Sequence, residues 1–234
     1  MTNPGPGPIP RTMPGDNGQG LKYWGEEVRE EFAEAEAQAP KEKKVFVEFL
    51  RPSEIRDYQP PEGIVLVGHN HITRGSVFVI GGAPGVGKSR ASVALAEAGA
   101  TGYEWFGLPV HCKFRTLIIQ SENGRYRLKQ EFGELDCETM DEFVRITPPP
   151  PYGLCFDRSE FRDQLVAQLM EHGPGIVIID PWNAVSRDEK AKSMLETFEY
   201  IRSVIPAGDD GPAIGIVAHT RKPQLGSVVR GALY

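Results

Sequence analysis

Apolar residues cluster along this chain in short blocks separated by polar, glycine-rich or proline-rich stretches. Ser76 to Ile80 is a β-branched and aromatic run closed by glycines, as a buried strand is. Ser89 to Ala98 is rich in alanine and favours helix. Arg115 to Gln120 reads as a second buried strand and Phe143 to Ile146 as a short third, after which Pro148 to Pro151 break the chain. From about Ser159 the spacing of Phe161, Leu165 and Leu169 predicts a helix, with Asp157 and Glu160 as a capping box and Gly173-Pro174-Gly175 as its stop. Ile176 to Ile179 is the next strand. Met194, Phe198, Ile201 and Ile205 mark an amphipathic helix ending before Pro206, and Ile214 to Ala218 is the last clear strand. Short extended pieces are expected at 45–50 and at Ile64 to Val67. Strands alternating with helices predict an α/β fold, a mostly parallel sheet with helices on both faces.

Composition sets the limits of the ordered part. Residues 1–20 are rich in Pro and Gly and offer nothing to bury, so a disordered tail is expected. Residues 26–36 hold six glutamates and one arginine, with Trp24, Val28 and Phe32 at helical spacing, and read as a loosely attached acidic segment. One domain over 45–234 follows a tail over 1–44. With 40% hydrophobic residues the chain can build a core. A net charge of -6 and a pI near 5.5 argue against a wholly basic nucleic-acid binder, without excluding a basic loop. Cys112, Cys137 and Cys155 lie far apart with no metal-ligand spacing, and are expected as reduced thiols in a cytoplasmic protein. No apolar run approaches the length of a membrane span.

The candidate chemistry begins at Gly82-Ala83-Pro84-Gly85-Val86-Gly87-Lys88-Ser89, which fits the phosphate-loop pattern at every fixed position, with Arg90 next in the cradle. Glycines let successive backbone N–H groups surround phosphate oxygens, and the following helix adds its positive end. Lys88 is expected at the β- and γ-phosphates of ATP and the Ser89 hydroxyl on Mg²⁺. A metal-holding carboxylate on another strand is also required, and Asp180 closes Ile176 to Ile179; alone it would equally be a turn residue. Pro181 follows Asp180, so no acid stands there to activate water. Glu122, just past the strand ending at Gln120, is the acid at a strand's carboxyl end, where ligands of parallel sheets sit; otherwise it is a solvated loop acid. His219 ends the strand 214–218, where it can touch the γ-phosphate or be satisfied by loop carbonyls.

The chain resembles the RecA-like ATPases and, within them, the RepA-type replicative helicases. The likeness runs over about residues 50 to 234. It is carried by Arg51-Pro52-Ser53-Glu54-Ile55 through Pro60-Pro61, Thr73-Arg74-Gly75, Gly107-Leu108-Pro109-Val110, the strand ending at Glu122, Ile176 to Asp180, and Ala218-His219-Thr220-Arg221-Lys222. The resemblance implies Glu122 as catalytic glutamate, Asp180 as metal aspartate and His219 as γ-phosphate sensor. It also implies a hexameric ring in the full-length form. Such domains continue for several strands and an arginine finger after the sensor strand, whereas this sequence stops at Gly231-Ala232-Leu233-Tyr234, so a truncated C-terminal edge is expected.

Two functions compete. A ring-forming motor on single-stranded DNA would use the loops after the metal and sensor strands, which carry Arg187, Lys190, Lys192, Arg221, Lys222 and Arg230. An ATP-dependent switch would recruit a protein partner through the acidic segment and the Pro-rich tail. A small-molecule kinase would need an arginine-rich lid between the metal and sensor strands, and none is present in the sequence.

Overall fold

The structure is a computed structural model and describes residues 48–185 and 191–220. Two compact units divide the chain, residues 1–58 and 59–234. In the described part of the first, helix α1 (Pro52–Asp57) starts on a proline, which suits a first turn. Arg51 donates from its backbone N–H and its guanidinium to the Glu54 carboxylate, both at 2.7 Å. Residues 48–50 hold no regular structure; the rest of the expected extended piece, the Pro-rich tail and the acidic segment lie outside the described residues.

The second unit contains, in order, β1 (Val65–Val67), β2 (Ile72–Thr73), β3 (Val77–Gly82), α2 (Lys88–Thr101), β4 (Thr116–Gln120), α3 (Arg125–Phe132), α4 (Cys137–Phe143) and β5 (Val144–Ile146). It continues through α5 (Ser159–His172), β6 (Ile176–Asp180), a 3₁₀ turn (Trp182–Ala184), α6 (Ala191–Val204) and β7 (Ala213–His219). Strands β1 and β2 form a small antiparallel pair. The main sheet is parallel, in the order β3-β7-β6-β4-β5. It is therefore an α/β fold with helices on both faces.

Alternation along the strands sorts the core in two. Ile118, Ile176, Ile178 and Val217 face Leu95, Ala96 and Ala100 of α2 and Met140 of α4. Leu117, Ile119, Val177, Ile179, Ile214 and Ile216 face Leu165 of α5, Ile201 of α6 and Ile205 just after it. Each fully buried isoleucine contributes about 1.5–3 kcal/mol over its exposed state. On the first face α2 approaches Phe114 so closely that a Cβ on Gly99 would sit 2.3 Å from its ring, so only glycine fits.

Two expectations need correction, and two helices leave no mark in the sequence pattern. The run Ser76 to Ile80 lies largely in β3, but among the described residues β3 is an edge strand, and Val77 and Val79 remain 41% and 61% exposed. An apolar run does not reveal whether a neighbour lies on one side or both. The capping box at Asp157 and Glu160 is not formed: Arg158 is the N-cap of α5, without a side-chain cap. Helices α3 and α4 bury too little to leave an apolar period: α3 has no buried residue and α4 only Met140. Among the described residues no helix is long and apolar enough to cross a membrane.

Candidate functional site

Strand β3 ends in Gly81-Gly82, and residues 83–87 turn into α2. Gly85 and Gly87 have φ of 80° and 93°, where a side chain would be strained, so glycine sets the shape of this turn. A Cβ on either would meet nothing within 4 Å, so the concavity beside them is open. Gly87 caps α2, which leaves the first-turn N–H groups without helical acceptors. Ala83, Pro84, Val86 and Arg90 are exposed around this cradle.

Lys88 is the first residue of α2 and is only 7% exposed. Its Nζ donates to the carbonyl oxygens of Gly82 (3.0 Å) and Ala83 (2.9 Å) and reaches His219 Nδ1 at 3.0 Å. An ammonium can only donate, so Nδ1 accepts and the neutral ring carries its proton on Nε2. That Nε2 lies 3.9 Å from Glu122 Oε1, near but beyond hydrogen-bond length. Register explains the meeting: His219 pairs with Gly82 at the ends of β7 and β3, and Asp180 pairs with Gln120 at the ends of β6 and β4. The Asp180–Pro181 peptide is cis.

Asp180 is 6% exposed and hydrogen-bonded to the Ser89 side chain. Burial lifts its carboxyl above the usual range, and the charge of Glu122 lifts it further. The Ser89 hydrogen bond and the Lys88 charge offset part of this. Two carboxylates thus converge beside a hydroxyl and an ammonium. The donor set is hard oxygen, as Mg²⁺ requires, and Asp180 is the group whose ionised form a cation would relieve.

The structure brings together Lys88, Ser89, Asp180, Glu122 and His219 from separate segments. Of the basic residues expected on the loops, Lys192 is described and stands in the first turn of α6 instead, exposed and 3.7 Å from Glu196 of the same helix. Arg187, Lys190, Arg221, Lys222 and Arg230 lie outside the described residues. Cys112, Cys137 and Cys155 are free thiols. His111 bonds the Gly68 carbonyl oxygen, and His172 is buried against the carbonyl oxygens of Thr116 and Phe143. A cavity of about 220 Å³ lined by Arg115, Glu142, Arg145, Gln168, Glu171 and His172 contains none of the expected site residues. Sequence reasoning passed over Gln120 and Thr147, whose side chains hold the backbone on either side of Glu122; the signal was a polar residue directly after the aliphatic run Leu117-Ile118-Ile119.

Across residues 46–224 the chain matches the family model described as AAA domain. No curated protein matches it. A solved structure similar to it is that of a KaiC-like protein from the hyperthermophilic archaeon Pyrococcus horikoshii OT3. It shares 12% identity, covering 69% of this chain and 71% of that one, with a TM-score of 0.49.

Proposed function

The chain belongs to the AAA domain family, and we propose that it binds Mg-ATP at the carboxyl edge of its sheet and hydrolyses it with Glu122 as general base. The observation that carries this reading is the convergence of Lys88, Ser89, Asp180, Glu122 and His219 on the glycine turn. In binding, Lys88 exchanges the Gly82 and Ala83 carbonyl oxygens for phosphate oxygens, and the loop amides surround the rest. Ser89 and Asp180 would hold Mg²⁺, which when bound neutralises phosphate charge. Glu122 takes the proton of a water as its oxygen bonds to the γ-phosphorus; the bond to the β–γ bridging oxygen breaks, and ADP and phosphate leave. His219 would register the γ-phosphate, a role supported by its contact with Lys88 and its nearness to Glu122.

The larger assembly is read as a ring-forming motor on single-stranded DNA. Support for it is the resemblance to replicative helicases and the basic residues of the loops after β6 and β7. The test is phosphate release from ATP by the full chain, with and without Mg²⁺ and single-stranded DNA. Mg²⁺-dependent turnover stimulated several-fold by DNA is expected. No turnover under any condition defeats the hydrolysis reading. Slow, DNA-insensitive turnover removes the motor and favours a switch that recruits a protein partner.

A further inference from the structure

Gln120 is the one non-aliphatic side chain at the carboxyl end of β4, and it is 2% exposed. A buried primary amide is costly unless its two donors and its acceptor oxygen all find partners. Here they do, and every partner is backbone. Oε1 accepts the N–H of Glu122 at 3.1 Å and of Asn123 at 2.7 Å. Nε2 donates to the carbonyl oxygens of Asn123 at 3.0 Å and Thr147 at 2.5 Å. The reverse orientation would set donors against N–H groups and oxygen against carbonyls, so the network fixes the amide one way round.

Thr147, directly after the neighbouring strand β5, closes the arrangement. Its hydroxyl accepts the Gln120 N–H at 2.9 Å and donates to the Gln120 carbonyl oxygen at 3.0 Å. Its own N–H donates to the Ile118 carbonyl oxygen at 3.0 Å. The Gln120 side chain thus holds residues 122 and 123 of the loop 121–123, while the Ser121 N–H donates to the Asp180 carbonyl oxygen at 3.2 Å. The Glu122 carboxylate itself is 56% exposed, and His219 at 3.9 Å is too far to hold it by a hydrogen bond. Where that carboxylate stands therefore depends on where its backbone is held.

We propose that Gln120 is a positioning residue for Glu122: its amide shapes the 121–123 loop that aims the carboxylate at the attacking water. The inference rests on the reading of Glu122 as general base. A loop displaced by about 1 Å misaligns a base without removing any group that grips the nucleotide, and such misplacement can cost on the order of a hundredfold in rate.

The test is a double-mutant cycle on the full chain, with Mg-ATP affinity and steady-state turnover measured for each variant. Gln120→Leu should lower kcat tenfold or more, with the Mg-ATP dissociation constant within about threefold of wild type. In the Glu122→Gln background the same change should cause no further loss, because its effect passes through the carboxylate already removed. A second variant, Gln120→Glu, keeps the oxygen facing the two N–H groups but loses both donors, and should lose kcat by a smaller factor; it serves if Gln120→Leu does not fold. Affinity and turnover falling together, an undiminished loss in the Glu122→Gln background, or wild-type kcat in both Gln120 variants would overturn the proposal. Wild-type turnover in Glu122→Gln alone would instead remove the reading of Glu122 on which it stands.

Discussion

Replacing Asp180 by Asn should stabilise the nucleotide-free protein while disabling its site. Asp180 is 6% exposed, and burial is the largest cause of its raised pKa, with the Glu122 charge adding to it. A buried charged group without full compensation costs roughly 1–3 kcal/mol or more. Ser89 and Lys88 return part of that, so the gain from neutralising the group is taken at the low end, about 1 kcal/mol. Asparagine keeps the shape, and its amide oxygen can still accept the Ser89 hydroxyl. For a domain of this size about 1 kcal/mol corresponds to roughly 2–4 °C in Tm. The metal-free variant should therefore melt higher than wild type by that amount in thermal unfolding at neutral pH. With Mg-ATP present the order should reverse, since wild type alone gains the full stabilisation by its ligand. The raised pKa also fixes a pH dependence. The folded state holds the Asp180 proton more tightly than the unfolded state, so this penalty is absent below the unfolded value of about 3.9 and is complete above the folded one. The difference between variant and wild type should accordingly vanish in acid. A metal-free Asp180→Asn that melts below wild type at neutral pH would mean that the carboxylate anchors the fold, and the reasoning would fail.

Lys88→Ala should reduce ATP turnover by more than tenfold, because it removes the cation that meets charge developing on the transferred phosphoryl group; retention of more than about a tenth of the wild-type rate counts against that role. His172 offers a test of stability remote from the site. Its burial, with Arg145 and Arg115 nearby, holds its pKa below the usual histidine range, although the Phe143 and Thr116 carbonyl oxygens act the other way and Glu142 and Glu171 line the same cavity. A depressed folded pKa contributes stability above the unfolded value of about 6.5, and that stability is lost as pH falls through the folded value. Denaturant unfolding at pH 7.5 and 5.5 should show this loss in wild type and a smaller one in His172→Gln; equal losses would contradict it.

What the sequence disclosed followed from how completely each segment is buried. β4 and β6 lie inside the sheet with both faces covered, so their aliphatic runs stand out from the polar chain around them. The turn 82–89 was legible because its glycines answer a backbone requirement that few other residues meet. Glu122, Asp180 and His219 could be brought together before any coordinates, since the carboxyl ends of parallel strands share one edge. Strand order was a different matter. Nothing in Val77-Phe78-Val79 tells an edge strand from a central one, because the difference lies in what stands beside it. Gln120 was hidden for a related reason. Its four partners are backbone groups of residues 122, 123 and 147, which only the folded chain assembles.

The most direct test of the account is to measure Mg-ATP affinity by calorimetry and steady-state turnover on the same Glu122→Gln protein. The substitution preserves size and hydrogen bonding and removes only the base. Ground-state binding rests on Lys88, Ser89, Asp180 and the loop amides, so the dissociation constant should stay within a few-fold of wild type. Turnover should fall on the order of a hundredfold or more, the usual worth of a general base. Turnover near the wild-type rate would place the base elsewhere, and affinity collapsing together with turnover would make Glu122 a structural residue; either result contradicts the account.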